Sequence, residues 1–452
     1  MNRLSYMANF SKYKIILMKH TATCFAMALL FFAMGISSCS SQKHIGKSAQ
    51  RIIIRNEKLA TAHVGIALYD ATAKKFIYNY NGDKYFIPAS NNKLLTCYAA
   101  MKYLGDSLVG LRYVDKGDGV IEAEPAGDPT LLHPAFVHQP VIAFLKQQKK
   151  ILLTDANWKE KAWGYGWAWD DYNDDYMAER SALPLYGNVV HFTNSKSLKA
   201  FPTCFQDKIE GADSLKRFRI RRELSNNHFI LQPAASIFTS TDIPFYTAEK
   251  YLAVQLLKEV VKTEVQQVHF VIDRWPDVKI IHSQPTDSML KIMMYESDNF
   301  FAEQSLLMVS NEKLALMNDA AIIDTLLKTD YADLPQKPKW VDGSGLSRYN
   351  LVSPEDFVTV LEKIRNDFSW NRITSILPSG NEGTLKGYYK NYGGHIYAKT
   401  GSLSNNISLS GYIITKKNHP YTFSVMVNNH QAAAADVRRA VEAFLTSIID
   451  RY

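Results

Sequence analysis

The stretch that most restricts the fold lies near the end of the chain, where HIYAKTGSL, ISLSGYIIT and YTFSVMVNN follow one another as β-rich runs between residues 395 and 429. These predict three strands, with Lys416 to Pro420 turning the chain between the last two, and a closing helix in AAAADVRRAVEAFLTSIIDRY. The other end has a similar β-rich pattern, in which HVGIALYD and FIYNYNGDKYF, separated by ATAKK, read as an antiparallel pair joined by a short turn. That pair leads into IPASNNKLLTCYAA, residues 87 to 100. Leu94, Leu95, Tyr98, Met101 and Leu104 recur there at helical spacing, which predicts a helix of about four turns stopping at Gly105. Between 250 and 370 the pattern is mostly helical, as in TAEKYLAVQLLKEVVK and SDNFFAEQSLLMV. Residues 106–286 differ, being rich in Trp, Tyr, Asp and short β-type runs, and read as an inserted, β-rich accessory module. The larger body is then discontinuous, formed by 51–105 together with 287–452.

The first 38 residues carry Arg3, Lys12, Lys14 and Lys19, no acidic residue, and an apolar stretch from Ala22 to Met34. That stretch of 13 residues is too short to span a bilayer comfortably and reads as a signal peptide. Met18 followed by Lys19 offers a second, more typical start. Small residues precede Cys39 in GISSCSSQK, a pattern similar to a bacterial lipoprotein cleavage box, so the expected mature chain begins at a lipid-bearing Cys39 and is tethered by the polar residues 39–50.

Losing the leader reduces the formal +8 charge to about +4, mild basicity that makes no case for nucleic acid. The basic LKRFRIRREL at 215–224 reads as a solvated face or a strand edge. Beyond the leader and Cys39 only Cys97 and Cys204 remain, and they read as free thiols rather than a pair. The 12 histidines form no HExxH, and neither they nor the cysteines show a zinc spacing, so no metal and no cofactor is expected.

An S-x-x-K pair is weak evidence by itself, since the chain has five. Only Ser90 with Lys93 follows a predicted strand and opens a helix. Residues three apart share a helix face, so Lys93 Nζ reaches Ser90 Oγ beside the positive end of the helix. Ser90 as a cap and Lys93 as an exposed helix residue is the structural alternative. For chemistry the lysine must be neutral, which burial and a second nearby cation would achieve. Two further elements favour chemistry: Ser297, Asp298 and Asn299 in YESDNFFAEQ, and Lys399, Thr400 and Gly401, the chain's one K-T-G, on a predicted strand. S-x-x-K, S-D-N and K-T-G in this order are the signature of class A β-lactamases and penicillin-binding proteins. Ser297 can relay a proton to a leaving amine, Asn299 can hold the substrate amide, and Lys399 with Thr400 can bind a terminal carboxylate. Gly401 lets the substrate backbone lie close to the strand, and the N–H groups of Ser90 and Ser402 can form an oxyanion hole.

On these motifs the chain resembles the D-alanyl-D-alanine carboxypeptidase/endopeptidase family of low-molecular-mass class C penicillin-binding proteins. AGDPTL at 126–131, GWAWDD at 166–171, VDGSGLSRYNLVSP at 341–354 and EGTLKG at 382–387 extend the likeness over nearly all of 51–452. Ser90 and Ser297 lie 207 residues apart, a gap far longer than in a class A β-lactamase, and no E-x-x-L-N segment follows S-D-N. The resemblance implies an α+β fold, a penicillin-binding/β-lactamase-like domain with an antiparallel sheet flanked by helices, carrying the insertion. The implied activity is serine-type cleavage of D-Ala-D-Ala in peptidoglycan stem peptides through an acyl-enzyme on Ser90, with β-lactam antibiotics as inhibitors. The implied place is the periplasm, anchored to a membrane through Cys39, with the outer membrane favoured. A β-lactamase or penicillin-recognising esterase, and a non-catalytic wall-binding or antibiotic-sensing lipoprotein, remain the alternatives. Trp163, Trp167 and Trp169 in the insertion read as core, and Asp342 and Ser344 as turn-formers near the site.

Overall fold

Strands that are apolar on both faces need cover on both sides, and the two ends of the chain satisfy this together. The structure, a computed structural model, describes residues 42–194, 197–215, 218–233, 239–269 and 277–452. The leader and Cys39 lie outside the described residues. β1 (His63–Asp70), β2 (Lys75–Tyr80), β14 (Ile396–Leu403), β15 (Asn406–Ile414) and β16 (Pro420–Asn428) form one antiparallel sheet in the order β14-β15-β16-β1-β2. On one face pack α1 (42–49), its π-helical continuation Gln50–Ile54, and the last helix, α10 (Ala434–Arg451), where Ile45, Ile53, Phe444 and Leu445 meet Ile66, Leu68 and Val425. The other face is covered by α8 (Pro354–Asp367), with α2 (Lys93–Tyr103), α5 (Thr286–Tyr295) and α6 (Asn299–Leu314) packed in the same layer, so that Leu94, Met289, Phe301 and Phe357 share one core with Tyr412 and Met426 of the sheet. Each such fully buried apolar side chain contributes roughly 1.5–3 kcal/mol. The short helices α7 (Asp319–Lys328) and α9 (Trp370–Ile376) complete this half.

Two expectations change here. Where a tether was expected, residues 42–54 are helical, because Ile45, Ala49 and Ile53 recur every four residues and bury one stripe against the core. The helix after β2 does not begin at Ser90. Ala89–Asn92 is a 3-10 turn and α2 starts at Lys93, giving three turns rather than four. The turn is pinned from β15, since Ser408 Oγ donates to Pro88 O (2.7 Å) and Asn91 Nδ2 donates to Ser410 Oγ (2.6 Å).

Residues between these halves build a second five-stranded sheet, in the order β12-β5-β4-β3-β13, from β3 (Ser107–Asp115), β4 (Val120–Pro125), β5 (Lys150–Leu153), β12 (Glu264–Gln267) and β13 (Lys279–Pro285). It is mixed: β5 runs parallel to β4 and β12, while β3 is antiparallel to β4 and β13. Two three-stranded sheets follow, β11-β6-β7 and β8-β10-β9, built from β6 (Val189–Asn194), β7 (Leu198–Phe201), β8 (Ile209–Gly211), β9 (Arg219–Arg222), β10 (Phe229–Gln232) and β11 (Ser240–Pro244). With α3 (Pro140–Leu145) and α4 (Leu252–Val261) they share a core around Phe192, Phe205, Phe229 and Leu257. The stretch enters and leaves at one place, where Thr286 N donates to Asp106 O at 3.0 Å.

The basic run is not uniformly solvated. β9 alternates, so Arg219 and Arg221 face water while Arg222 is fully buried against Glu179 (2.8 Å) and donates to several backbone carbonyls. The tryptophans are not core either: Trp169 is 71% exposed, and Trp163 and Trp167 are half-buried. Cys97 and Cys204 are free.

Candidate active site

Three separated segments meet at the edge of the first sheet. The 3-10 turn delivers Ser90, α2 delivers Lys93 at its first residue, and the N-terminus of α6 delivers Ser297 and Asn299, with Asp298 capping the helix by accepting from Phe301 N at 2.7 Å. β14, the edge strand, delivers Lys399, Thr400, Gly401 and Ser402. Ala89 and Ser297 both hold left-handed backbone, φ +49° and +63°, which costs a non-glycine residue about 1–3 kcal/mol and is retained where packing over-determines it.

Lys93 is fully buried and Nζ donates to Ser90 Oγ (2.9 Å), Asn299 Oδ1 (2.6 Å) and Ser344 O (2.9 Å). Two of these acceptors have no proton to give back. A neutral Lys93 therefore keeps its two N–H bonds on Asn299 and Ser344 and points its lone pair at the Ser90 hydroxyl. Burial draws the Lys93 pKa down to about 8, while the Asp298, Asp342 and Glu303 carboxylates pull the other way. A second lysine is coupled to Lys93: burial, and then the Lys93 charge, holds Lys399 well below the usual lysine range.

Lys399, also fully buried, donates to Ser297 Oγ (2.9 Å) and to Thr400 O (2.9 Å). Asn299 Nδ2 donates to Tyr176 O (2.9 Å), so both ends of that amide are held by protein. Gly401 also serves the fold: a Cβ there would lie 2.6 Å from Pro88 O and 2.9 Å from Asn91 N, so the missing side chain lets β14 press against the turn that carries Ser90. Ser402 is exposed, and its Oγ accepts from Arg438 Nη2 of α10 at 2.9 Å.

The segment 341–350 forms the floor. Asp342 accepts from Gly345 N (2.8 Å), Ser347 N (2.7 Å), Asn350 Nδ2 (2.8 Å) and Trp167 Nε1 (3.0 Å), folding the tight turn the sequence suggested. Gly345, at φ +84°, has no room for a Cβ beside Ala89 O. Sequence reasoning missed Ser344 and Tyr176 as partners of the site because both act through main-chain carbonyls, which any residue possesses.

Residues 48–448 match the D-Ala-D-Ala carboxypeptidase 3 (S13) family. The chain belongs to that family. D-alanyl-D-alanine carboxypeptidase DacB of Haemophilus influenzae is 23% identical over 430 residues, covering 82% of this chain and 86% of its own. The crystal structure of penicillin-binding protein 4 from Haemophilus influenzae superposes with a TM-score of 0.71 at 20% identity, covering 90% of this chain and 99% of its own. The same protein in complex with a β-lactam superposes at 0.66 and 19% identity, over 90% and 99% of the two chains. The likeness establishes the penicillin-binding/β-lactamase-like α+β fold, and family membership places the chain among serine-type D-Ala-D-Ala carboxypeptidases, hydrolases of peptidoglycan.

Proposed function

We propose that this carboxypeptidase cleaves a terminal D-Ala-D-Ala bond or a D-Ala cross-link of peptidoglycan stem peptides through an ester on Ser90, and that penicillin acylates the same hydroxyl. The observation that carries the reading is the three-way hold on Lys93 Nζ, which leaves Ser90 Oγ as the one protic partner. Lys93 takes the Ser90 proton as the Oγ–C bond forms. The C–N bond then breaks, and the departing amine receives a proton through Ser297, whose hydroxyl is held by Lys399. Water splits the ester and restores Ser90. Thr400 and the outer edge of β14 receive the substrate's C-terminal end, and the N–H groups of Ser90 and Ser402 face the developing oxyanion. The fall of Lys93 toward neutrality by burial supports its use as the base.

Residues 106–286 are an accessory module inserted into a catalytic body of 51–105 and 287–452. The chain acts in the periplasm, held to a membrane by lipid on Cys39. The test is purified Ser90→Ala protein with a pentapeptide ending in D-Ala-D-Ala. Loss of D-alanine release and of the penicilloyl adduct is expected, and continued release would overturn the assignment. For the anchor, Cys39→Ser protein is expected in the soluble periplasmic fraction; continued membrane attachment would refute it.

A further inference from the structure

A buried charge cluster lies directly behind the site, and the reaction just described does not use it. Glu303, one helical turn after Asn299 on α6, is 1% exposed. Its Oε1 accepts from Ser344 N at 2.7 Å, and its Oε2 accepts from Arg180 Nη1 at 3.3 Å. The other side of Ser344 is the carbonyl that takes Lys93 Nζ. Glu303 thus holds the residue that positions the base, and it is itself held by an arginine from the 106–286 stretch.

We propose that Glu303 is a positioning residue for Lys93: it fixes the Ser344 backbone that orients Nζ toward Ser90, and its charge sets how much of Lys93 is neutral at a given pH. The inference rests on Lys93 being the base of the acylation step.

The surroundings support a carboxyl that changes charge in the working range. Arg180 is fully buried and serves three carboxylates: Glu303, Asp319 at the start of α7 (2.6 Å) and Glu160 (3.3 Å). Its guanidinium also lies 5.5 Å from the centre of the Trp167 ring, whose Nε1 binds buried Asp342. Around Glu303 the charged neighbours are Asp342 from the 341–350 segment, Arg180 and Asp319 of α7; around Lys93 they are Asp298 beside the start of α6, Asp342, Glu303 and, from β14, Lys399. One guanidinium among so many acids cannot keep all of them ionised in a dry interior. Burial and Asp342 push Glu303 up to about 7, against the pull of Arg180 and the Ser344 N–H. An ionised Glu303 favours the Lys93 ammonium, and a neutral one releases it.

The experiment is the pH profile of the second-order acylation rate constant with a chromogenic cephalosporin, measured on the full chain carrying Glu303→Gln and, separately, Glu303→Asp. Acylation rises with pH as Lys93 loses its proton. Removing the neighbouring negative charge lowers the Lys93 pKa, so the rising limb of E303Q is expected roughly one pH unit lower, the low end for a nearby opposite charge. E303D keeps the charge and should keep the wild-type limb, whatever its plateau. A purely structural Glu303 would lower the plateau of E303Q and leave the limb where it was, and that result, or a shift to higher pH, overturns the proposal. If E303Q does not fold, wild-type and Lys93→Ala proteins enriched in δ-13C glutamate provide a second reading. A buried glutamate carboxyl should titrate higher in the Lys93→Ala protein, where the neighbouring ammonium is gone; no response overturns the inference. Absence of any adduct on wild-type Ser90 would refute the acyl-enzyme itself, whereas an adduct with an unmoved E303Q limb refutes only the role of Glu303.

Discussion

The two five-stranded sheets divide the work unequally. In the first, every pairing is antiparallel, β14 and β15 keep one register over their whole length, and helices cover both faces. In the second, parallel and antiparallel pairings mix, and β13 slips register twice against β3. A stiff edge strand pressed against a pinned turn can hold reacting groups to within tenths of an ångström, which acyl transfer requires. The second region reaches the site through loops: the Tyr176 carbonyl on Asn299, Arg180 on Glu303 and Trp167 on Asp342. Ser90, Lys93 and Lys399 sit on or against the antiparallel sheet, and Tyr176, Arg180 and Trp167 of the 106–286 stretch brace the groups around them.

That contrast can be broken at several points. Ser90→Ala should lower acylation and D-alanine release by about 10^4-fold or more, the scale for losing a nucleophile, measured by single-turnover kinetics; residual activity within tenfold of wild type would move the chemistry elsewhere. Lys399→Ala, which frees Ser297 Oγ, should cost roughly 10^2–10^4-fold in acylation with the fold retained, the scale of a proton-transfer partner. In the second region, Phe205→Ala in the shared core should cost about 3–5 kcal/mol of unfolding free energy in urea. If the same substitution abolished acylation in protein that is still folded, the division of labour would fail.

The pH dependence sharpens the picture. Lys93 must be neutral to accept the proton, and its pKa is drawn down to about 8, so the wild-type rate should fall about tenfold for each unit below that value and level off above it. A profile flat from pH 6 to 9, with the cephalosporin's own hydrolysis subtracted, would exclude Lys93 as the base. The smallest effect belongs to Trp169→Ala at an exposed ring of the insertion, where stability should change by less than about 0.5 kcal/mol. A larger loss would show that the exposed tryptophan is buried by something in solution.

Much of the first region was legible in the sequence because its elements are long and continuous. HVGIALYD is β1 residue for residue, and the three C-terminal runs fall within one residue of β14, β15 and β16. The second region was legible only as β-rich, since several of its strands, such as β8, β10 and β12, run only three or four residues and carry too little periodicity to fix pairing or direction. Local composition also misled where burial depends on distant partners. Trp169 is apolar yet exposed, Arg222 is charged yet buried against Glu179, and the polar stretch at 42–50 hides the stripe that docks it as a helix.

What the sequence by itself determined is which side chains are candidates to react: a serine and a lysine three residues apart, an S-D-N, and a single K-T-G on a strand, in that order. Folding decided whether they meet. The lowered pKa of Lys93 comes from exclusion of water, and its aim comes from the carbonyl of Ser344 and the amide of Asn299, groups more than 200 residues away along the chain. Desolvation and cross-chain distance are properties of packing, and no local pattern of residues encodes them.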